Sequence, residues 1–422
     1  MKSSSATPAF FLQVLLISFS MCFILYISAW NLFSGKAQHS SPAPTHVQTG
    51  QAYHEPQTGA HTRITTWLPK DYELDDTAKK CERIFGSSYI TSTAARRTSH
   101  CPVSSPSRLD CFHAARELTP HEWPLDTLCL ARGVQLSHSA EGAANNTFSI
   151  QCPLDDDFGA GQQVDSIQTP KPYFFGTGVT QQLANWASSR SAKKCSSASI
   201  KAEWIVLVRR GLTTALWDIF MEVMQAMISV DILRTALDES GEPYMSDEDL
   251  SQAQIVFEDN ETLPFEELWH LVLRNHKPPV MKKDLEPGCY HNIVLPLPGS
   301  SSPIYTALLN GEFHRACRDS FLVRALRRRV LSYYGFADGS GPLQSPEDFP
   351  SLNITIIGRK KTRMIWDLES MVDAVRTQHP AHTVNIVDFE ELTLREQVQL
   401  VSETDILVGV HGSSLTHAHL PP

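Results

Sequence analysis

The chain has 422 residues, of which 42% are hydrophobic and 19% are charged, and its formal net charge is −10 at pH 7. The length exceeds what one simple core supports, so we expect a folded protein with two domains. The acidic balance argues against a nucleic-acid partner, because a phosphate backbone selects a basic surface. The short run Arg327-Arg328-Arg329 does not change this prediction, since such a run is typical of the solvated end of a helix.

The N-terminal region predicts a membrane anchor followed by a stem. Phe10 to Phe33 contains 24 residues without a charge, which as a helix spans a hydrocarbon core of roughly 30 Å. The apolar region of a cleavable signal peptide is only about 7–15 residues long, so an uncleaved signal-anchor is favoured, with residues 1–9 as a cytosolic tail. Residues 34–67 are rich in Ser, Thr, Pro, Gln and His, which indicates a flexible stem.

Sequons and cysteines favour a luminal body. Acceptor sequons for N-glycosylation begin at Asn145, Asn260 and Asn353. Eight cysteines follow the anchor, an even count that predicts disulfides in an oxidising lumen. Zinc binding is the alternative, and it is less favoured because no C-x-x-C pair occurs. We therefore expect a single-pass type II protein of the Golgi or endoplasmic reticulum. The eight cysteines are Cys81, Cys101, Cys111, Cys129, Cys152, Cys195, Cys289 and Cys317.

Residues 68–200 are expected to form an irregular, cysteine-rich region. They contain the acidic run Asp155-Asp156-Asp157, for which a solvated turn is preferred over a divalent-metal site. Strands and amphipathic helices alternate after about residue 200, a pattern that predicts a parallel sheet covered by helices on both faces. The predicted strands are Trp204–Val208, Gln254–Phe257 and His291–Leu295, and the predicted helices are Leu216–Leu237, Phe265–Arg274 and one or two helices within Ile304–Tyr334.

A second α/β unit follows a Gly/Pro/Ser-rich linker at residues 338–350. The predicted architecture is a pair of Rossmann-like domains that face a cleft, the first within residues 68–345 and the second within residues 346–422. The second unit is predicted to contain strands Asn353–Ile357, Thr383–Val387 and Asp405–Val410, and helices Trp366–Thr377 and Glu390–Val401.

Two strand ends in the second unit carry residues suited to a diphosphate. Ligands of open α/β sheets bind beyond the carboxyl ends of the strands. Arg359 and Arg363 follow one strand, and a guanidinium group pairs bidentately with phosphate oxygens. The other strand ends at His411-Gly412, where glycine permits close approach of a ligand and Ser413, Ser414 and Thr416 offer hydroxyl groups. The two strand ends together predict a pyrophosphate clamp.

The residues at these strand ends carry a family resemblance. Asp405 to His417 (DILVGVHGSSLTH) resembles the D-I-x-V-G-x-H-G-A-G-L-T-H signature of glycosyltransferase family 61. Ile356 to Glu369 is similar to the arginine-containing stretch upstream of that signature. Asn292 to Pro296 and Lys80 to Gly86 resemble segments of fungal members of the family. The resemblance covers about residues 75–422 and is specific in the last seventy.

The resemblance implies a luminal, inverting enzyme with the GT-B fold. It implies a UDP-sugar as the donor, with GlcNAc or a pentose as the sugar, and a protein or glycan hydroxyl as the acceptor. Carried over by position, Arg359, Arg363 and the turn from His411 to Thr416 hold the nucleotide and its diphosphate. Positive groups at that place also stabilise the departing UDP. No other cofactor is implied with certainty, and the need for a divalent metal stays open.

The catalytic base departs from the family pattern. The family usually has Asn-x-x-His at the start of the first-domain helix, where this chain reads Ala215-Leu216-Trp217-Asp218. Asp218 therefore takes the position of the histidine, and Glu222 lies one turn further on the same face. Asp218, Glu222 and His411 are the candidate catalytic residues, although a solvated carboxylate pair is the alternative for the first two.

Two further departures favour a second hypothesis. Ser414 replaces the second glycine of the family turn, and the family continues beyond the position of Pro422 into another strand and more helices. The second domain is therefore expected to be incomplete. The alternative function is a catalytically inactive, membrane-anchored binding protein with a transferase-like fold.

Overall fold

The computed structural model describes residues 76–115, 126–139, 142–152, 177–188, 195, 200–299, 317, 320–336 and 351–420. All of them belong to one unit, Tyr72–Pro422. The predicted tail, anchor and stem lie outside the described residues, as do Asp155 to Asp157 and the linker at 338–350. Within these ranges, no helix has both the length and the apolar character needed to cross a bilayer.

A mixed sheet of nine described strands forms the centre of this unit. The strands are β1 (Arg97–Ser99), β2 (Arg108–His113), β3 (Thr127–Ser139), β4 (Gly142–Ile150), β5 (Ala187–Ser188), β6 (Ile200–Val208), β7 (Gln254–Phe257), β8 (Val280–Met281) and β9 (Gly288–Leu295). The strand order is β1-β2-β3-β9-β6-β7-β8, with β4 paired to β3 and β5 paired to β4. Strands β9, β6, β7 and β8 are mutually parallel, whereas β3 pairs antiparallel with both β2 and β9.

The three strands predicted after residue 200 are parallel to one another, as expected, but they belong to a larger mixed sheet. The irregular region predicted at 68–200 is wrong, because it contains five strands. Strands β1 to β5 come from that region and extend the sheet through the β3–β9 pairing. Two of them were hard to recognise because β2 and the first half of β3 are buried almost without interruption. A strand that is covered on both faces lacks the alternation of polar and apolar residues that identifies a half-buried strand.

One helix, α4 (Leu216–Thr235), is buried nearly all round. Its apolar side chains share a core with sheet residues such as Phe112, Val206 and Val294, which explains why most of its surface is apolar. The predicted helix at 265–274 divides into a 3₁₀ turn, Glu266–Trp269, and a short α-helix. The other helices around the large sheet are α1 (Asp76–Phe85), α2 (Ser87–Ala94), α3 (Val179–Ala184), α5 (Asp247–Gln252), α6 (His270–Leu273) and α7 (Phe321–Tyr334).

A smaller sheet of three parallel strands follows. Its order is β11-β10-β12, from β10 (Asn353–Ile357), β11 (Thr383–Val387) and β12 (Ile406–Val408). Helix α8 (Leu368–Gln378) packs on one face through Val372, which meets Ile356 and Val384. Helix α9 (Leu394–Ser402) contributes to the main core on the other face. It begins at a capping box in which Thr393 and Glu396 satisfy each other's backbone N–H groups.

Four disulfides use all eight cysteines that follow the predicted anchor, which confirms the disulfide prediction. Cys111 and Cys129 face each other across β2 and β3. No group of three or more His, Cys, Asp or Glu side chains is placed to hold a metal ion within the described residues. The bonds are Cys81–Cys317, Cys101–Cys152, Cys111–Cys129 and Cys195–Cys289.

The Cys81–Cys317 bond joins residues 236 positions apart and ties α1 to the segment before α7. Replacing both residues with serine is expected to lower the free energy of unfolding by about 2–5 kcal/mol, because the unfolded chain regains the freedom that the cross-link removes. Urea denaturation of the parent and the double variant measures this difference. An unchanged midpoint and slope would show that the bond does not constrain the unfolded chain.

Candidate functional site

Two arginines converge on the backbone of the His411-Gly412 turn. A Cβ atom added to Gly412 would lie 2.7 Å from Nη1 of Arg359 and 3.2 Å from Nη1 of Arg363. Arg363 Nη1 also donates a hydrogen bond of 2.7 Å to the His411 carbonyl oxygen. We call these four residues, Arg359, Arg363, His411 and Gly412, the arginine corner. The two strand ends that the sequence predicted to cooperate are therefore adjacent.

The topology of the small sheet explains this convergence. Strands β10 and β12 are neighbours and parallel, so their carboxyl ends lie at one edge of the sheet. Gly409 lets the ends of these two strands approach each other closely, since a Cβ atom at this position would lie 3.3 Å from Ile357 Cδ1. A larger side chain at Gly412 would collide with the guanidinium of Arg359. Glycine is therefore the residue that keeps both cations against the turn.

The lysines between the two arginines point to other partners. Lys360 forms an ion pair with Glu391, and Lys361 Nζ lies 2.9 Å from Glu390 Oε2. Arg363 adopts a left-handed backbone conformation with φ of 52°. This conformation changes the direction of the loop after the two lysines. The loop thus separates its four cations into two that bind acidic neighbours and two that contact the turn.

The turn continues into a 3₁₀ helix, Ser413–His419. His411 is exposed, Ser413 and Ser414 are half-buried, and Thr416 is buried with its hydroxyl donating to the Ser413 carbonyl. The Thr416 hydroxyl is thus used inside the turn. Of the residues proposed to bind the nucleotide, the structure brings together Arg359, Arg363, His411 and Gly412, with Ser413 and Ser414 next in the chain.

His417 fixes this 3₁₀ helix, and the sequence analysis did not single it out. Its Nδ1 donates to the Ser414 carbonyl at 3.0 Å, and its ring meets the Phe389 ring edge-to-face at 4.8 Å between centroids. Burial lowers the pKa of His417 to about 4, because the imidazolium form would lose its hydration. Its place in the family signature, two residues after Leu415, was the available signal.

The two candidate carboxylates differ in their surroundings. Asp218 lies in the first turn of α4, is half-buried and accepts a hydrogen bond of 3.1 Å from Thr213 Oγ1. Glu222 is buried and accepts a hydrogen bond of 2.7 Å from the Gly211 N–H. The backbone of Gly299 covers it so closely that a Cβ there would lie 2.6 Å from Glu222 Cγ. Burial raises the pKa of Glu222 to about 7, against the lowering effects of the Gly211 hydrogen bond and of Arg210.

Arg210 holds the neighbouring strand ends together. It follows β6, as Arg359 follows β10, yet its Nε donates to Asp259 Oδ2 at 2.9 Å and its Nη1 donates to Glu266 Oε1 at 3.2 Å. Its guanidinium also lies over the Phe257 ring, 3.8 Å from the centroid. A buried arginine with these partners is a structural link between β6 and β7.

The arginine corner and α4 are connected by packing. The His419 ring lies 5.7 Å from the Trp217 ring, and Thr416 and His417 line one small apolar cavity together with Phe220. The 3₁₀ helix that begins at the corner therefore rests on the same turns of α4 that carry Asp218 and Glu222. Arg327 Nε fixes the end of this segment by donating to the Leu420 carbonyl at 2.9 Å.

The three sequon asparagines lie in different settings. Asn145 falls in β4, and Asn260 is exposed in the segment after β7. Asn353 is exposed at the start of β10, where its Nδ2 donates to the Glu403 carbonyl at 3.1 Å. Because a glycan is attached through Nδ2, Asn260 is the better placed of the two whose side chains are described.

The raised pKa of Glu222 predicts a pH-dependent stability. Its folded pKa of about 7 exceeds the ordinary value of 4.5 for a glutamate, so the protonated form favours folding at low pH and this stability is lost as the pH rises through 7. The full loss is about 3 kcal/mol. The free energy of unfolding of the parent should therefore fall relative to that of Glu222→Gln as the pH is raised from 4.5 to 8. A constant difference between parent and variant across this range would contradict the assignment, and taking the difference cancels the opposite effect of His417.

The chain is similar in sequence to known proteins. The family model described as Glycosyltransferase 61 matches residues 123–420. The chain is 28% identical over 130 residues to the EGF domain-specific O-linked N-acetylglucosamine transferase of Drosophila melanogaster, covering 31% of this chain and 23% of that protein. It is 29% identical over 116 residues to the protein of the same name from Rattus norvegicus, covering 27% and 21%. The chain thus spans less than a quarter of the length of these relatives.

Proposed function

Because the chain belongs to glycosyltransferase family 61, we propose that it moves a sugar from a UDP-sugar to a hydroxyl group of a protein or glycan. The observation that carries this proposal is the arginine corner, where two guanidinium groups meet at a glycine turn beyond parallel strand ends. Such a corner matches the two negative phosphates of a nucleoside diphosphate.

The corner supplies the electrostatic part of catalysis. Negative charge develops on UDP as the bond between the sugar and the diphosphate breaks. Arg359 and Arg363 lie where they can pair with that charge, and their positions are fixed before the reaction by the Gly412 contact and the hydrogen bond to His411. His411 is exposed beside them and is the third polar group that a leaving diphosphate would meet.

We propose an inverting transfer in which Asp218 is the general base. An acceptor hydroxyl must lose a proton as it attacks the anomeric carbon, and a carboxylate within reach accepts it. Asp218 is favoured because it is half-buried in the first turn of α4, whereas Glu222 lies one turn deeper beneath Gly299. Glu222 then supports the loop through its hydrogen bond to Gly211.

The arrangement and location follow from the same proposal. Residues 346–422 would form the nucleotide-sugar side and residues 68–345 the acceptor side of a GT-B-like cleft. The disulfides support an oxidising compartment. We propose a Golgi or endoplasmic reticulum membrane protein anchored by residues 10–33, with its body in the lumen. The names of the relatives make GlcNAc the first donor sugar to test and an EGF domain the first acceptor, with a pentose as the second sugar.

A second candidate is an inactive binding protein, favoured by Ala215 and Asp218 where the family has asparagine and histidine. Release of UDP from UDP-GlcNAc or UDP-xylose by the purified full-length chain separates the two functions. Turnover that depends on acceptor supports the transferase. Saturable UDP binding without turnover on either donor supports the binding protein, and absence of UDP binding contradicts both.

A further inference from the structure

A second cavity lies at the far end of α4, away from the arginine corner. Its volume is about 660 Å³, and α4, α6 and α7 contribute its walls. Asp231, which lines it, is thirteen residues after Asp218, so the two lie about 20 Å apart along the helix axis. The volume is within the range of pockets that hold small organic ligands, about 300–1,000 Å³. The function proposed above makes no use of this cavity.

Positive charge dominates the polar lining. Among the lining residues that the structure describes, Arg274, Arg328 and Arg329 are basic and Asp231 is acidic. Asp231 already pairs with Arg329 and, at 3.5 Å, with Arg234. Burial lowers the pKa of Arg329, and the charge of Arg274 lowers it further against the opposing effect of Asp231. Asp231 therefore pairs with two guanidinium groups, and a negative ligand in the cavity would add a favourable interaction with the arginines that line it.

Flat rings and apolar side chains form the rest of the wall. Tyr333 stacks on His270 at 5.8 Å and on His276 at 5.9 Å between ring centroids, with interplanar angles of 16° and 21°. Met227 and Leu322 add apolar surface. Rings of this kind give a rigid contact surface for the face of a sugar or another ring.

The backbone near the cavity is held in an uncommon conformation. Arg274 and His276 are both in the left-handed region, each with φ of 57°. Two such residues within three positions cost conformational energy, and residues of this kind cluster at ligand sites. Here the conformation directs one cation and one ring of the stack to the same cavity.

We propose that this cavity binds an organic anion, a ring compound whose carboxylate, sulfate or phosphate group pairs with Arg274, Arg328 and Arg329. The ring of the ligand would lie against the His270–Tyr333–His276 stack and its apolar neighbours. Two sources share this chemistry, an acidic glycan and a phosphorylated sugar. The site is separate from the arginine corner, so the proposal does not depend on sugar transfer.

Ligand-detected NMR and calorimetry on the full-length chain test the proposal, both without UDP and with UDP at saturation. The probes are a sulfated uronate-containing disaccharide, glucose 6-phosphate, and neutral lactose. We expect one anionic probe to bind with Kd of about 1 mM or tighter, and lactose not to bind. Preference for the disaccharide identifies an acidic glycan, and preference for the hexose phosphate identifies a phosphorylated sugar.

Matched variants locate the bound probe. Arg274→Ala and Arg328→Ala should each weaken binding about tenfold or more. Arg108→Ala, which removes an arginine whose ion pair with Glu239 is exposed, should leave it unchanged, as should Arg359→Ala. Circular dichroism verifies the fold of each variant. If Arg274→Ala does not fold, the affinity of Arg328→Ala for the probe decides the outcome. The proposal is overturned if neither anionic probe binds, if UDP or Arg359→Ala abolishes binding, or if a folded cavity variant binds as tightly as the parent.

Discussion

Arg359→Ala is expected to weaken the binding of UDP by about ten- to a hundredfold. A hydrogen bond to a charged group contributes about 1.5–3 kcal/mol, and each 1.4 kcal/mol is a factor of ten in affinity. Arg363→Ala should lose at least as much, because Arg363 also holds the His411 carbonyl. The two losses need not add, since both side chains contact one turn. Isothermal titration calorimetry with UDP measures the two single variants and the double variant.

The same loop provides the control for this experiment. Lys361→Ala removes a cation that lies two residues from each arginine but pairs with Glu390. Its ion pair is exposed, so its loss should change stability little. UDP affinity should stay near that of the parent. If Arg359→Ala also binds UDP like the parent, the arginine corner is not the diphosphate site and the proposed function loses its main support.

Asp218→Asn is expected to lower kcat by about a hundred- to ten-thousandfold while UDP affinity stays constant. The amide keeps the shape of the side chain and its contact with Thr213 but accepts no proton from an acceptor, and general base catalysis contributes a factor of this size. Steady-state kinetics with a UDP-sugar and an acceptor gives kcat, and calorimetry gives the affinity for UDP.

Glu222→Gln separates the two carboxylates. If Asp218 is the base, this variant should retain most of its turnover below pH 7, where the parent carboxyl is itself largely protonated given its pKa of about 7. Asp373→Asn, on the exposed face of α8, controls for the loss of one negative charge. Full activity in Asp218→Asn together with inactivity in Glu222→Gln would transfer the role of base to Glu222.

The local sequence pattern correctly predicted the first and last residues of some strands. The bounds of β7, β10 and β11 agree with the sequence prediction, because each is a short apolar run ended by polar or glycine residues. Strands β1 to β5 were missed. Burial on both faces removes the alternation that marks a strand from β2 and from the first half of β3, and β1 and β5 have only three and two residues.

The candidate site also contains features that the sequence predicted and features that only the fold shows. Arg210 and Arg359 each follow a predicted strand, and the same positional rule applies to both. Only the fold shows that Arg210 is enclosed by Asp259, Glu266 and Phe257, whereas Arg359 contacts the glycine turn. Asp218 and Glu222 likewise share a helix face in the sequence, but the packing of Gly299 buries Glu222 alone.

The residues at the strand ends and the disulfide bonding of the eight cysteines were predictable from the sequence, because spacing along the chain and residue chemistry are local properties. The pairing of the cysteines, the arginines that face the turn and the carboxylate that is buried became evident only from the packed fold. Each of these depends on contacts between segments far apart in the chain, for example Cys81 with Cys317 and Arg363 with His411. Such contacts arise from the packing of the whole core, which no short stretch of sequence encodes.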